Sequence, residues 1–118
     1  MPDRIVNLTP HEIWLRREGM PPLVFPPAEE PARCALVRKK FGYVELGGRR
    51  LPLSRLVCGE VAHLPPPRRR TWYIVSTLVA AASPERRDLL VPHRLIRQGG
   101  RVVGCRALVQ LRADREAL

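Results

Sequence analysis

Residues 72–82, WYIVSTLVAAA, decide the fold class of this chain. The first four are aromatic or β-branched and form an unbroken apolar run, which is typical of a strand buried on both faces. Ser76 or Thr77 then offers an N-cap for a short alanine-rich helix. Ser83-Pro84 has the form of a further cap with proline in the first turn. We therefore expect a strand at Trp72 and one short helix over residues 77–87.

Two glycine pairs outside this stretch predict β-hairpins. Gly47-Gly48 follows an apolar patch that ends at Leu46, and Gly99-Gly100 precedes an alternating strand that starts at Arg101. Both residues of such a pair tolerate the positive φ of a tight hairpin turn. We expect several short strands between residues 34 and 64.

The N-terminal part of the chain predicts strand, bend, strand. Ile5-Val6 and residues 13–15 are the apolar patches, and Pro10 between them holds Thr9 in an extended conformation. Residues 19–31 contain five prolines, which predict an edge strand or a polyproline-like connection.

These elements predict an α+β fold, with a mostly antiparallel, strongly curved sheet or small barrel and one short helix. The alternative is a small three-layer α/β unit built around the strand at Trp72. A chain of 118 residues has room for one core, so we expect a single domain over residues 1–118.

Arginine dominates the charge of the chain. There are 21 Lys and Arg against 11 Asp and Glu, a net charge of +10, and Lys39 and Lys40 are the only lysines. The planar guanidinium suits phosphate and carboxylate groups, which indicates a nucleotide or nucleic acid as partner. The other interpretation is a genome composition that raises the arginine and proline content.

The cysteines and the apolar runs indicate a cytoplasmic protein without a membrane partner. Cys34, Cys58 and Cys105 form no CxxC pair, so we expect free, buried thiols. No apolar run approaches the ~20 residues of a membrane helix, and no secretion signal is visible.

The first bend contains the strongest candidate ligand site. Asn7, Thr9 and His11 alternate along the chain, so in a strand their side chains share one face. Such a row suits a phosphate, and His11 suits acid or base chemistry near neutral pH. The alternative is a structural turn in which Asn7 and Thr9 bond to local backbone. The candidate ligand-binding set also includes Arg87, Asp88, Arg101 and Arg106.

No metal site and no cofactor is predicted. The three histidines, at positions 11, 63 and 93, form no HxH or HxxxH pair. The sequence also lacks GxxxxGK[ST], GxSxG and a paired carboxylate arrangement.

The motif Asn7-Leu8-Thr9-Pro10-His11 resembles the N-terminal strand end of a family of small uncharacterised proteins of phages and bacteria. The resemblance continues at residues 73–76, at Arg87-Asp88 with Pro92, and at residues 101–106. It implies a fold and a set of residues but no reaction. The basic run at residues 68–70 departs from the family pattern, which is acidic or neutral there. A fainter similarity of the first strand is to small CRISPR-associated ring nucleases.

Three functions remain open at this point. The first is a small basic binding module for the phosphate of a nucleotide or nucleic acid. The second is a phage- or defence-associated protein-interaction factor that uses the proline and arginine segment at residues 65–70. The third is a small metal-independent phosphodiesterase, similar to ring nucleases, with His11 as acid or base.

Overall fold

Strands dominate residues 2–112, the part of the chain that the computed structural model describes. The elements are β1 (Arg4–Asn7), β2 (Ile13–Leu15), β3 (Leu23–Phe25), β4 (Arg33–Leu46), β5 (Arg49–Ala62), β6 (Thr71–Ile74), α1 (Thr77–Ala82), β7 (Leu89–Gln98) and β8 (Arg101–Val109). The expected strand–bend–strand at the N-terminus is confirmed. With one six-residue helix, the α+β class applies only loosely.

Six strands form one sheet in the order β1-β6-β7-β8-β2-β3. The prediction of a mostly antiparallel sheet needs correction here, because β1 with β6, β6 with β7, and β2 with β8 pair in parallel. Parallel neighbours need a crossover connection, and α1 supplies it between β6 and β7. The strand at Trp72 is therefore the first strand of a β–α–β unit. Such a unit was expected in the alternative fold, the small three-layer α/β unit.

The two ends of this sheet approach each other and make it barrel-like and nearly closed. The segment after β3 bonds back to the segment after β1: Ala28 N–H donates to Thr9 O, and Ala32 N–H donates to Leu8 O, both at 2.9 Å. Leu8 and Ala32 then join the buried core. The strong curvature expected from the sequence is present.

Helix α1 covers the core and is shorter than predicted. Ser76 is its N-cap, with the Ser76 hydroxyl accepting the Val79 N–H at 3.2 Å. The helix ends at Ala82 instead of residue 87, because Ser83 O accepts the Arg86 N–H and starts a separate turn. Among residues 2–112, no helix has the length and apolar character to cross a membrane.

Strand β7 continues through Pro92 to Gln98. β7 pairs with β6 only at Leu89 and Leu90, and its other edge pairs with β8 along its length. Beyond Leu90 one edge of β7 is free, and a proline on a free edge costs no ladder hydrogen bond. Only the first two residues of β7 therefore lie between two strands, and the rest of β7 is an edge strand.

Strands β4 and β5 form one long hairpin that stands apart from the six-stranded sheet. We call residues 33–62 the arm. Several short strands were expected here, but the structure has two strands of 14 residues. They are joined at Gly47 (φ 56°) and Gly48 (φ 77°), as the glycine pair predicts. The radius of gyration is 18.1 Å. A compact chain of this length would have about 13.5 Å, so the molecule is elongated.

A disulfide pairs Cys34 with Cys58 at the base of the arm, with their Cα atoms 5.8 Å apart. The expectation of free thiols is therefore wrong for these two cysteines, which lie 24 residues apart and meet only through the antiparallel pairing of β4 and β5. Cys105 is free and buried, as expected.

Candidate functional site

The first bend is held by side chains that face inward. Asn7 and Thr9 are 6% and 9% exposed. The Asn7 amide donates to His11 O at 2.7 Å, and its oxygen accepts both the N–H and the hydroxyl of Thr9 at 2.9 and 2.8 Å. The Thr9 hydroxyl also lies 3.0 Å from His11 O. These are the contacts of a structural turn, and they fix the backbone of His11.

The His11 side chain is exposed and lines a cavity of about 700 Å³. Ligand pockets fall in the range of roughly 300–1,000 Å³. The walls are mostly apolar and come from β2, β7 and β8: Ile13, Trp14, Pro92, Leu95, Val102, Val103, Gly104 and Cys105. Glu12 and Arg16 complete the lining. Of the three residues predicted at the bend, His11 alone reaches this cavity.

Four arginines surround a second opening of about 570 Å³. They are Arg16, Arg17, Arg94 and Arg106, and Glu18 lines the same opening. Arg16 lines both this arginine cluster and the apolar cavity, so the two spaces are neighbours. Arg106 was predicted from the sequence, whereas the other three were not.

The arginine cluster combines like charges on neighbouring strands, an unusual backbone conformation and buried donors without an acceptor in the described part of the chain. The pairs His93–Ala107 and Leu95–Cys105 place Arg94 opposite Arg106 on neighbouring strands. Like charges directly opposite in a sheet repel each other. Arg94 also has a φ of 57°, a conformation that costs a non-glycine residue roughly 1–3 kcal/mol. The Nε–H groups of Arg16 and Arg17 are buried and have no acceptor among the described residues.

A close approach between β2 and β8 sets the position of Arg16. Arg16 N–H donates to Cys105 O at 2.8 Å. A Cβ at Gly104 would lie 3.0 Å from Trp14 O and 3.2 Å from Arg16 Nε. The Arg16 guanidinium lies 4.7 Å from the centre of the Trp14 ring, in cation–π contact. Glycine at position 104 thus allows Arg16 to lie between the indole and the arginine cluster.

The remaining predicted site residues lie elsewhere. Asp88 accepts two hydrogen bonds from Arg86, at 2.9 and 2.8 Å, and both side chains are largely buried. This contact with Asp88 raises the pKa of Arg86. Arg87 is exposed in the same loop, and its carbonyl accepts from Gln110. Arg101 is exposed beside the Gly99-Gly100 turn. The predicted residues Arg87, Asp88 and Arg101 therefore line neither the cavity nor the arginine cluster.

Cys105 lies in the cavity wall as a buried thiol, and burial raises its pKa. A thiol in this state is a poor nucleophile, because the thiolate is the reactive form. Within residues 2–112, no group of three or more His, Cys, Asp or Glu side chains is arranged to hold a metal ion.

Sequence reasoning missed Trp14, Arg16, Arg17 and Arg94. Arg16-Arg17 directly follows the apolar strand at residues 13–15, and this adjacency was an available signal. The position of Arg94 in the cluster could not be predicted from the sequence, because it depends on the pairing of β7 with β8 and on a backbone conformation unusual for arginine.

Comparison with known proteins adds no relative. The chain matches no protein-family model, no curated protein and no solved structure. The function proposed below therefore depends on the geometry of the described residues alone.

Proposed function

We propose that this protein is a binding module for a phosphate-bearing ligand of the nucleotide class. The observation that carries the proposal is the arginine cluster beside an apolar cavity, with Arg16 lining both. A nucleotide has the matching halves, a flat base and an anionic phosphate. The resemblance to the phage and bacterial family remains a separate hypothesis.

The phosphate half of the ligand fits the arginine cluster. Guanidinium groups donate two parallel hydrogen bonds to phosphate oxygens. An anion between Arg94 and Arg106 would offset their repulsion. In this proposal, part of the positive charge excess of the sequence serves to bind the negative charge of the ligand.

The base half fits the apolar cavity. Trp14 offers an aromatic wall, and Leu95 and Val102 offer aliphatic ones. Asn7 and Thr9 act as positioning residues, since they hold the backbone from which the His11 imidazole extends. The predicted Asn7-Thr9-His11 row thus contributes one contact residue and two supports.

Calorimetric titration tests the proposal with a panel of nucleoside mono-, di- and triphosphates and cyclic nucleotides, with pyrophosphate as the anion without a base. Losing a charge-assisted hydrogen bond costs about 1.5–3 kcal/mol, so Arg94→Gln or Arg106→Gln should weaken binding about 10- to 150-fold. Arg101→Gln is the matched control, because it removes the same charge from the same hairpin outside the cluster. Equal losses in all three variants would contradict the assignment.

A metal-independent phosphodiesterase remains the second candidate, because the His11 side chain lines the same cavity. In that mechanism a proton moves to or from His11 while water replaces one ester oxygen at phosphorus. Incubation with cyclic and linear oligonucleotides would show turnover that His11→Ala abolishes and Arg101→Gln preserves. Binding without turnover would contradict the phosphodiesterase and leave the binding module as the supported function.

The interaction-factor hypothesis stays a prediction. The segment at residues 65–70 is largely exposed, as a protein-docking segment requires, and it lines neither the cavity nor the arginine cluster. The cytoplasmic location expected from the sequence also remains a prediction. Its direct test is the oxidation state of Cys34 and Cys58 in the native host, because cytosolic thiols are usually kept reduced.

A further inference from the structure

The arm is a second basic surface, separate from the arginine cluster. Residues 33–62 contain seven Lys and Arg against two Glu, which is half of the net charge of the chain. The basic residues are Arg33, Arg38, Lys39, Lys40, Arg49, Arg50 and Arg55. None of them lines the cavity or the cluster.

The arm also exposes apolar side chains on both of its faces. Val37 pairs with Val57 and Val44 with Leu51 on one face, and Leu36 with Cys58 and Arg38 with Leu56 on the other. Leu56 is 66% exposed and Leu36 is 48% exposed. A two-stranded hairpin by itself is only marginally stable in water. The arm therefore has surface that a partner would cover.

Two arginines of the arm lie over aromatic rings. The Arg50 guanidinium lies 4.3 Å from the centre of the Tyr43 ring, and that of Arg55 lies 4.7 Å from the Phe41 ring. Phe41 and Tyr43 are 54% and 53% exposed, so each pair forms a cationic and aromatic platform in contact with solvent. Nucleic-acid bases stack on such platforms, while neighbouring cations contact the phosphates.

We infer that the arm binds single-stranded nucleic acid. The charge argues against a second copy of the arm as the occupant, because each copy would bring the same positive excess. A duplex hides its base faces by stacking, whereas a single strand presents them to apolar and aromatic side chains. Strands of 14 residues span about 45 Å, which is enough for several nucleotides.

The test is a fluorescence-anisotropy titration of a labelled dT 12-mer with the full chain, at several salt concentrations. Each phosphate contact on a single strand contributes about 0.7 to the slope of log K against log salt. Lys39 and Lys40 point to opposite faces of β4, so at least one of them faces the bound oligonucleotide. Lys39→Gln with Lys40→Gln should therefore reduce the slope by about 0.7 or more. Arg68→Gln with Arg69→Gln is the matched control, since it removes two exposed charges outside the arm and should leave the slope unchanged.

Removing the aromatic platforms should lower the affinity for the oligonucleotide and leave the slope of log K against log salt unchanged. Phe41→Ala with Tyr43→Ala is expected to weaken oligonucleotide binding about fivefold or more. Both side chains are exposed, and the thermal midpoint of each variant checks that it folds. A polyglutamate of equal charge is the control ligand, and binding as tight as that of the oligonucleotide would overturn the inference.

Other outcomes separate this inference from neighbouring proposals. A slope unchanged by the Lys39 and Lys40 substitutions overturns it, as does a stable dimer that Leu56→Asp dissociates while oligonucleotide affinity is unchanged. Arg94→Gln should leave oligonucleotide binding intact, and the Lys39 and Lys40 substitutions should leave nucleotide binding intact. The failure of either site is thus distinguishable from the failure of the other.

Discussion

The side-chain amide of Asn7, at the end of β1, donates a hydrogen bond to the carbonyl oxygen of Phe25, at the end of β3, across 3.2 Å. These strands are the two edges of the six-stranded sheet. The same amide also donates to Pro26 O at 3.1 Å and to His11 O at 2.7 Å. One side chain therefore ties together both edges of the barrel-like sheet and the bend that carries His11.

Asn7→Asp should destabilise the protein more than Asn7→Ala. One oxygen of the introduced carboxylate would keep the Thr9 donors, but the other would face three carbonyl oxygens that now accept from the amide. A buried charge against these carbonyl groups costs several kcal/mol. The pKa of the introduced carboxyl would rise above the ordinary value of about 4, because the neutral acid can still donate. The stability deficit should therefore be small near pH 4 and grow as the pH rises. Urea unfolding of both variants and wild type at pH 4 and pH 7 measures it, and a deficit independent of pH would contradict this account.

Gly104→Ala should disrupt the proposed nucleotide site. The added Cβ would lie 3.0 Å from the Trp14 carbonyl, so β2 must shift away from β8 and move Arg16 with it. We expect at least a tenfold loss of nucleotide affinity. Calorimetric titration checks the affinity, and Gly42→Ala is the matched control, because a Cβ there meets nothing within 4 Å. Wild-type nucleotide affinity in Gly104→Ala would show that the close approach of β2 and β8 is not required for binding.

Asp88→Asn should destabilise the fold without affecting nucleotide binding. Arg86 and Asp88 form a two-bonded pair with side chains 11% and 15% exposed. Removing one charge leaves the other partly buried, which costs about 1–3 kcal/mol for a pair of this exposure. Denaturant unfolding measures the loss. A loss of ligand affinity with unchanged stability would instead support the sequence prediction that Asp88 belongs to the ligand site.

The disulfide between Cys34 and Cys58 should stabilise the arm. Closing a loop of 24 residues is worth roughly 3 kcal/mol in the chain-entropy model. We expect protein purified without reductant to show one free thiol, and reduction to lower the free energy of unfolding. Thiol titration under denaturing conditions counts the groups, with Cys34→Ser/Cys58→Ser as the variant that makes reduction ineffective. Three free thiols in the oxidised preparation would refute the pairing.

Cys105 should resist alkylation in the folded protein. Its side chain is 1% exposed, and its raised pKa keeps it as the neutral thiol at pH 8. Because the unfolded state loses its proton at lower pH than the folded state, the contribution of this group to stability falls as the pH rises past its ordinary value. Iodoacetamide labelling followed by mass spectrometry, with and without urea, tests the protection. A saturating nucleotide in the cavity should slow labelling further.

The sequence predicted local elements better than their arrangement. The strands at Ile5, Ile13 and Trp72, the Ser76 cap and both glycine turns follow from short-range chemistry. The parallel pairing of β1 with β6 joins Arg4 to Thr71, and no local pattern encodes such a partner. The same limit applies to function: Asn7, Thr9 and His11 were correctly grouped in one bend, but the bend turns two of them inward.

The pairing of Arg4 with Thr71 has a consequence for biogenesis. A nascent chain cannot complete this sheet until β6 has left the ribosome, so until then β1 has no neighbouring strand to pair with. Contacts of such long sequence separation slow folding and prolong the exposure of aggregation-prone edges. A protein produced in pieces, or with β1 deleted, would offer β6 to foreign strands instead.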